Sequence, residues 1–224
     1  MQMLSGVPEI VLLTWLVIAC LWIETVARKS VPSGRLIART VPIIVLVSGL
    51  MAAQLLPFLD LLAHSQRGLG FATSKWAMPL WGWANLLVPL FRSVLTAPGI
   101  FFQLGQEFLS STYLGAGIVG LSLVAVCSVG QPRVWVLGGL AIFGLLMAWG
   151  ENGFLYGAIR RVLPLMGFAR YPIKFTLLTA FVVPLLAAYA VAAMQNQSAA
   201  RQTNPRRKLF FAGAVCLTAM GFVL

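Results

Sequence analysis

Long apolar runs of about 16 to 23 residues dominate this 224-residue chain, and its charged residues gather in the short stretches between them. A helix of that length crosses roughly 30 Å of hydrocarbon. Apolar residues make up 60% of the sequence and charged residues only 9%, and the mean hydropathy is +0.92. A soluble globule of this size needs far more polar surface. We therefore predict an all-α membrane protein, a polytopic transmembrane helix bundle.

The apolar runs predict about six spans in a single transmembrane domain, 1–224. They lie near residues 10–27, 41–63, 112–130, 134–149, 172–194 and 209–224. The third and fourth runs are separated by Gln131-Pro132-Arg133, a tight turn that predicts an antiparallel helical hairpin. The last run stops at Leu224 after about 16 residues, which is short for a span. We therefore expect this chain to be the middle part of a longer one.

The distribution of basic residues predicts the orientation of the spans. Loops 28–40, 131–133 and 195–208 fall on one side and carry nine basic residues, so the positive-inside rule makes that side cytoplasmic. The opposite side holds two long connections, 64–111 and 150–171. They are rich in Trp, Pro and Gly, which suits interfacial helices that lie along the membrane surface. We predict that both connections are extracytoplasmic.

Seven basic residues fall on the extracytoplasmic side, where topology does not require them. The net charge is +11, but the basic residues flank apolar runs and form no stripe along a soluble face, which excludes nucleic acid as a partner. Two interpretations stay open: contact with the phosphates of membrane lipids, or a site for a phosphate-bearing lipid carrier or substrate. The seven residues are Arg67, Lys75, Arg92, Arg160, Arg161, Arg170 and Lys174.

A first polar cluster ends the second apolar run. Gln54, Pro57 and Asp60 recur at three-residue spacing, so they interrupt the span on one face, which we expect to point into the bundle. A carboxylate at the bilayer centre costs about 2.5–3.5 kcal/mol, so Asp60 should be paired or near water. Asp60 is either a partner of Arg67 at the interface or a functional group. His64 is either a general base or an interfacial hydrogen-bonding side chain.

A second polar cluster opens the fifth apolar run. Arg170 and Lys174 stand one turn apart around Pro172. Helix N-termini attract phosphate, and a guanidinium and an ammonium strengthen that attraction. The alternative is a pair of snorkelling cations with Tyr171 as an aromatic anchor. Glu151, in the same connection, is a further candidate base, and the sequence contains neither a zinc-ligand pattern nor a phosphate loop.

Five sequence blocks, in order along the chain, carry a resemblance to a known family. They are GVPEI (6–10), QLLPFLDLLAHSQRG (54–68), KWAMPLWGWANLLVP (75–89), FLSSTYLGAG (108–117) and WGENGFLYGAIRRVLPLMGFARYPIKF (149–175). The chain resembles the bacterial YfhO family of multi-spanning membrane proteins, which is related to the GT-C superfamily of lipid-linked-sugar glycosyltransferases.

The resemblance implies transfer of a sugar from a polyprenyl-phosphate carrier to a cell-surface polymer or glycan, at the outer face of the bacterial cytoplasmic membrane. Membrane lipid and the polyprenyl-phosphate sugar donor are the implied partners. The implied contacts to the carrier phosphate come from Arg67, Arg170, Tyr171 and Lys174, and the implied polar lining is Gln54, His64 and Gln66.

The same resemblance leaves the catalytic group open. Enzymes of this superfamily place a metal-binding or base carboxylate in the first extracytoplasmic loop, which we expect to lie upstream of this chain. We therefore expect no cofactor in this chain and no activity from it alone. The resemblance allows a divalent metal in the full-length protein. Within the chain, the catalytic candidates are Asp60, His64 and Glu151.

Two other classes of protein fit the same residues. A transporter or flippase-like protein for a lipid-linked or anionic solute uses broken helices and internal polar groups, and it predicts an inverted repeat and a central polar cavity. A non-catalytic scaffold uses polar clusters only to pin helices together, and it predicts that alanine is tolerated at every polar position.

Overall fold

The computed structural model of the chain describes residues 8–29, 31–64, 76–96, 99–103, 106, 108–163, 171–199 and 213. It describes the backbone alone for residues 8, 9, 33, 54, 55, 58, 62, 63 and 197–199. The described residues are mostly helical. Contacts group the chain into two compact units, the first comprising 1–72 with 164–169 and the second comprising 73–163 with 170–224.

The first unit contains two long helices, α1 (Pro8–Ala27) and α2 (Ser33–His64). The 20 residues of α1 form a helix of about 30 Å, the thickness of the hydrocarbon core. Its one described charge, Glu24, is buried and accepts a hydrogen bond from Arg28 Nη1 at 3.2 Å, so the carboxylate is paired. Trp22 Nε1 donates to Thr40 Oγ1 at 3.2 Å and joins the two helices.

The helix α2 is continuous over 32 residues, and it includes both Pro42 and Pro57. The second predicted span, 41–63, is thus contained in one continuous helix, on which the side chains of Pro57 and Asp60 are exposed. A proline removes one backbone donor from a helix, but the turns on either side keep their own hydrogen bonds, so a long apolar helix can run through it. None of the side chains between Gly34 and Ala53 is buried, as lipid-facing residues require.

The second unit is built around α6 (Thr176–Ala199), which packs against both α3 (Ala116–Ser128) and α4 (Pro132–Ala148). The tight turn predicted at 131–133 begins α4, with Pro132 in its first turn. The buried residues of α6 recur at three- and four-residue spacing, which places them on one helical face. They are Thr176, Leu178, Thr179, Val182, Val183, Leu186, Ala187 and Ala190.

A glycine lets α4 and α6 approach closely. A Cβ atom on Gly144 would lie 2.8 Å from Thr179 Oγ1 and 2.9 Å from the Phe175 carbonyl oxygen. Thr179 Oγ1 donates to the carbonyl oxygen of Ala141 at 2.8 Å and is fully buried. This contact combines a small residue with an interhelical hydrogen bond, as packed membrane helices do. It fixes the start of α6 against α4.

The two long connections contain short elements. The first has a 3-10 helix, Gly82–Leu86, and an antiparallel hairpin of β1 (Ser93–Leu95) and β2 (Phe101–Gln103). The second has a 3-10 turn, Gly150–Asn152, and α5 (Leu155–Val162), while the 3-10 turn Pro172–Phe175 leads into α6.

The described part of the first connection thus has a 3-10 helix and a β-hairpin and no α-helix of its own, and the interfacial position of both connections stays a prediction. Prolines on either side of that 3-10 helix, Pro79 and Pro89, remove backbone donors and oppose an α-helix.

Three helices in the described part of the chain are long and apolar enough to cross a membrane, over Ile10–Ala27, Gly34–Ala53 and Pro172–Asn196. They correspond to the first, second and fifth predicted spans, so the predicted helical fold and three apolar helices of spanning length are confirmed. The third and fourth runs form the shorter apolar helices α3 and α4, of 13 and 17 residues. The sixth run, 209–224, lies outside the described residues except for Gly213. The number of six spans stays a prediction.

Candidate functional site

Asp60 and His64 form a pair on the last turn of α2. Asp60 Oδ1 lies 3.2 Å from His64 Nδ1, which also lies 3.0 Å from the Asp60 carbonyl oxygen. The two side chains are 77% and 78% exposed. An exposed pair at this spacing stabilises a helix by about 0.5 kcal/mol or less, so it is not a major structural contact. Its chemistry is that of an accessible carboxylate and imidazole.

Several predicted site residues are not described. Gln66, Arg67 and Arg170 lie outside the described residues, as does the side chain of Gln54. The proposed pairing of Asp60 with Arg67 is therefore untested. Asp60 and His64 belong to the first unit, whereas the described residues of the other cluster belong to the second unit.

An aromatic and cationic cluster stands at the start of α6. The ring of Tyr171 stacks on Phe108 with centroids 4.6 Å apart and meets Trp76 at 5.0 Å with a tilt of 56°. Lys174 Nζ lies 4.7 Å from the Tyr171 centroid and 5.3 Å from that of Phe108, within the range of cation–π attraction. Tyr171, Trp76 and Lys174 are half-buried and Phe108 is exposed. We call these four residues the aromatic–lysine cluster.

The local sequence explains how Tyr171 and Lys174 reach this position. Pro172 begins the 3-10 turn, and Lys174 N donates to the Tyr171 carbonyl oxygen at 3.0 Å. Ile173 and Phe175 are buried on the inner side of the turn. The apolar residues therefore anchor the turn, while Lys174 between them is only half-buried.

Backbone and side-chain hydrogen bonds beside Trp76 hold its ring against Tyr171. Met78 N donates to the Ala148 carbonyl oxygen at 2.8 Å, and Asn152 Nδ2 donates to the Met78 carbonyl oxygen at 3.1 Å. These bonds hold the segment that follows Trp76 against the end of α4. Gly150, with φ +53°, lies so close to Pro172 that a Cβ atom would be 2.9 Å from Pro172 Cγ. The end of α4 thus contacts both the segment that carries Trp76 and the turn that carries Tyr171 and Lys174.

Phe108 is positioned by the buried side chain of Gln106. Gln106 Oε1 accepts hydrogen bonds from the backbone N–H groups of Phe108 and Leu109, at 2.7 and 2.8 Å, and its Nε2 donates to the Leu109 carbonyl oxygen. These three bonds fix the backbone conformation of a short loop. Phe108 is then held 37% exposed over Tyr171.

Glu151 lies in the turn beside the cluster, and it acts electrostatically on Tyr156. Burial raises the pKa of the Tyr156 hydroxyl above its ordinary value of 10.0. The Arg160 guanidinium partly opposes that rise, and the Glu151 carboxylate adds to it. Tyr156 is 1% exposed, while Glu151 is exposed. Glu151 is therefore an accessible carboxylate one residue from the glycine that contacts Pro172.

The arrangement suits an anion attached to a ring. The Lys174 ammonium attracts a phosphate, and the aromatic faces offer apolar area to a flat or saturated ring. Among the residues that the structure describes, no group of three or more His, Cys, Asp and Glu side chains could hold a metal ion.

The sequence pattern singled out Tyr171 and Lys174 but missed the roles of Trp76, Phe108 and Tyr156. Trp76 and Phe108 lie far from Tyr171 along the chain, so no local spacing joins them. The sequence offered one indication of them: Trp76 and Phe108 lie in blocks 75–89 and 108–117, which carry the family resemblance and place aromatic residues beside polar ones.

No protein-family model matches the chain, and neither does any curated protein or any solved structure.

Proposed function

We propose that this chain forms part of a YfhO-like membrane glycosyltransferase, which takes a sugar from a polyprenyl-phosphate carrier at the extracytoplasmic side of a bacterial cytoplasmic membrane and transfers it to a cell-surface polymer or glycan. The connections 64–111 and 150–171 lie on that side in this proposal, as the distribution of basic residues favours.

The aromatic–lysine cluster is the observation that supports the proposal most strongly. Lys174 supplies a positive charge for the carrier phosphate, and Tyr171, Phe108 and Trp76 supply ring faces for the attached sugar or the first carrier carbons. Lys174 lies in the 3-10 turn Pro172–Phe175, which leads directly into α6 at Thr176. Partial positive charge at a helix start adds to the attraction of a phosphate.

The reaction is a single displacement. A hydroxyl oxygen of the acceptor forms a bond to the anomeric carbon of the sugar, the bond from that carbon to the carrier phosphate oxygen breaks, and the hydroxyl proton passes to a base. Lys174 stabilises the negative charge that grows on the departing phosphate. Glu151, exposed and in the same unit as Lys174, is the candidate base beside this cluster, while Asp60 and His64 of the other unit stay candidates from the sequence alone.

The test is sugar transfer in membranes that contain the whole protein. We expect Lys174→Ala to reduce incorporation of the carrier-linked sugar by about tenfold or more, because a hydrogen bond to a charged group contributes about 1.5–3 kcal/mol. Lys174→Arg should retain part of the activity, since the charge remains. Arg39→Ala, at an exposed cation of α2, is the matched control and should leave incorporation unchanged.

Unchanged incorporation in Lys174→Ala, at equal protein level, would contradict the role of this cluster. Transport of the carrier-linked sugar across the membrane without its transfer to any acceptor would favour the transporter or flippase-like alternative.

A further inference from the structure

The β-hairpin of the first connection is small and apolar. Ser93 pairs with Gln103, Val94 with Phe102 and Leu95 with Phe101. Thr96 N and Thr96 Oγ1 both donate to the Ile100 carbonyl oxygen, at 2.9 and 2.7 Å, so the pairing continues toward the turn. A two-stranded hairpin is marginal in water by itself.

The outer half of the hairpin exposes large apolar side chains on both faces. Leu95 is 61% exposed and its partner Phe101 is 41% exposed, while Val94 on the opposite face is 47% exposed and Ile100 is 46% exposed. A contiguous patch of exposed apolar residues is typical of a surface that binds a membrane or another apolar surface.

The inner half of the hairpin is polar and tied to the unit. Gln103 is buried, and its Nε2 donates to the carbonyl oxygen of Gly82 at 3.3 Å. In the turn just before β1, Arg92 lies 5.2 Å from the ring centroid of Trp81 and 5.8 Å from that of Phe91. The two rings meet edge to face at 5.9 Å. A cation held on Trp and Phe rings is typical of the headgroup level of a membrane.

We propose that this hairpin inserts its apolar residues Leu95 and Phe101 into the outer leaflet of the membrane that the chain spans, with Arg92 at the level of anionic lipid phosphates. The occupant of the apolar surface is phospholipid. The charge complementarity of Arg92 and phosphate and the presence of membrane-spanning helices in the same chain support this choice. The proposal does not depend on sugar transfer.

The dimensions of the hairpin agree with such insertion. The strand β1 runs from Ser93, the residue after Arg92, to Leu95, and a strand rises about 3.3 Å per residue, so Leu95 lies about 7 Å beyond Ser93. Interfacial elements bury their apolar face roughly 5–10 Å into the boundary between headgroups and acyl chains. Leu95 and Phe101 then lie among acyl carbons while Arg92 stays at the phosphates.

Site-directed spin labelling of the whole chain in nanodiscs tests the proposal. The cysteines Cys20, Cys127 and Cys216 are replaced by serine, and Leu95→Cys or Phe101→Cys carries the nitroxide. Collision with oxygen, which dissolves in lipid, is compared with collision with a water-soluble nickel complex. Leu185→Cys on α6 is the lipid-facing reference, and Gln131→Cys in the turn before α4 is the aqueous reference.

In nanodiscs of phosphatidylethanolamine and phosphatidylglycerol, we expect the ratio of oxygen to nickel collisions at both hairpin positions to exceed that of Gln131→Cys several-fold. A ratio equal to that of Gln131→Cys would overturn the proposal. Protection from both reagents would overturn it too, because protein would then cover the hairpin.

Arg92→Glu tests the electrostatic part. In the same anionic nanodiscs it should lower the ratio at Leu95→Cys, whereas in phosphatidylcholine nanodiscs the change should be smaller. The same change in both lipids would contradict the contact between Arg92 and anionic headgroups.

Discussion

Replacing Gly150 with alanine tests how closely the turn after α4 packs against the start of α6. At φ +53° an alanine occupies the left-handed region, which costs roughly 1–2 kcal/mol. Its Cβ would also lie 2.9 Å from Ala77 Cβ and 2.9 Å from Pro172 Cγ, closer than carbon atoms pack. Overpacking of this kind costs about 1–3 kcal/mol. We therefore expect Gly150→Ala to lower the free energy of unfolding by about 2–5 kcal/mol.

Two other glycines separate these contributions. Gly99 also has a positive φ, +79°, but a Cβ atom there meets nothing within 4 Å, so Gly99→Ala should cost only the conformational part, about 1–2 kcal/mol. Gly157 lies within α5 and has open space, so Gly157→Ala should stabilise the protein by about 0.5–1 kcal/mol.

The assay is reversible unfolding of the purified chain in mixed micelles with increasing denaturing detergent, followed by far-UV circular dichroism. Tryptophan fluorescence, recorded in the same titration, reports on the seven tryptophans together. The expected order of stability is Gly157→Ala, wild type, Gly99→Ala and then Gly150→Ala. Equal losses in Gly150→Ala and Gly99→Ala would refute the close packing of Gly150 on Pro172.

The remaining predictions concern single hydrogen bonds and one titration. Thr179→Val keeps the shape of the side chain but removes the bond to Ala141, so the free energy of unfolding should fall by about 1–3 kcal/mol, whereas Thr179→Ser should lose less. Gln106→Leu removes the acceptor of the Phe108 loop and should weaken stacking in the aromatic–lysine cluster, seen as a change in near-UV circular dichroism. Because the pKa of Tyr156 is raised in the folded protein, stability should fall as the pH rises above about 10, the ordinary value, and Tyr156→Phe should flatten that fall.

The helices could be predicted because the lipid interior contains no water to hydrogen-bond exposed backbone groups. A run such as 10–27 is apolar on every face, and in lipid only a helix satisfies all of its backbone groups. The α2 helix follows the same rule, since it continues through Pro57 and Asp60, which the sequence marks as helix-disturbing and polar positions on one face. A backbone surrounded by apolar side chains gains more from continuing the helix than it loses at one missing donor.

The structure of the connections was harder to predict because contacts between residues far apart in the sequence determine it. The hairpin depends on Gln103 reaching the carbonyl of Gly82, and the aromatic–lysine cluster depends on Asn152 reaching the carbonyl of Met78. Neither contact leaves a periodic pattern in the sequence. Tyr171 and Lys174 could be singled out because they share one turn, whereas their partners Trp76 and Phe108 come from other parts of the chain.

The central claim is that the aromatic–lysine cluster binds the phosphate end of a polyprenyl carrier. The most direct test is to measure the affinity of the purified chain for a short-chain polyprenyl phosphate and for the corresponding alcohol, by tryptophan fluorescence in detergent. We predict that the wild type binds the phosphate more tightly than the alcohol. Lys174→Ala should lose about tenfold or more of that difference in affinity, while its affinity for the alcohol is unchanged. An unchanged preference for the phosphate in Lys174→Ala would contradict it.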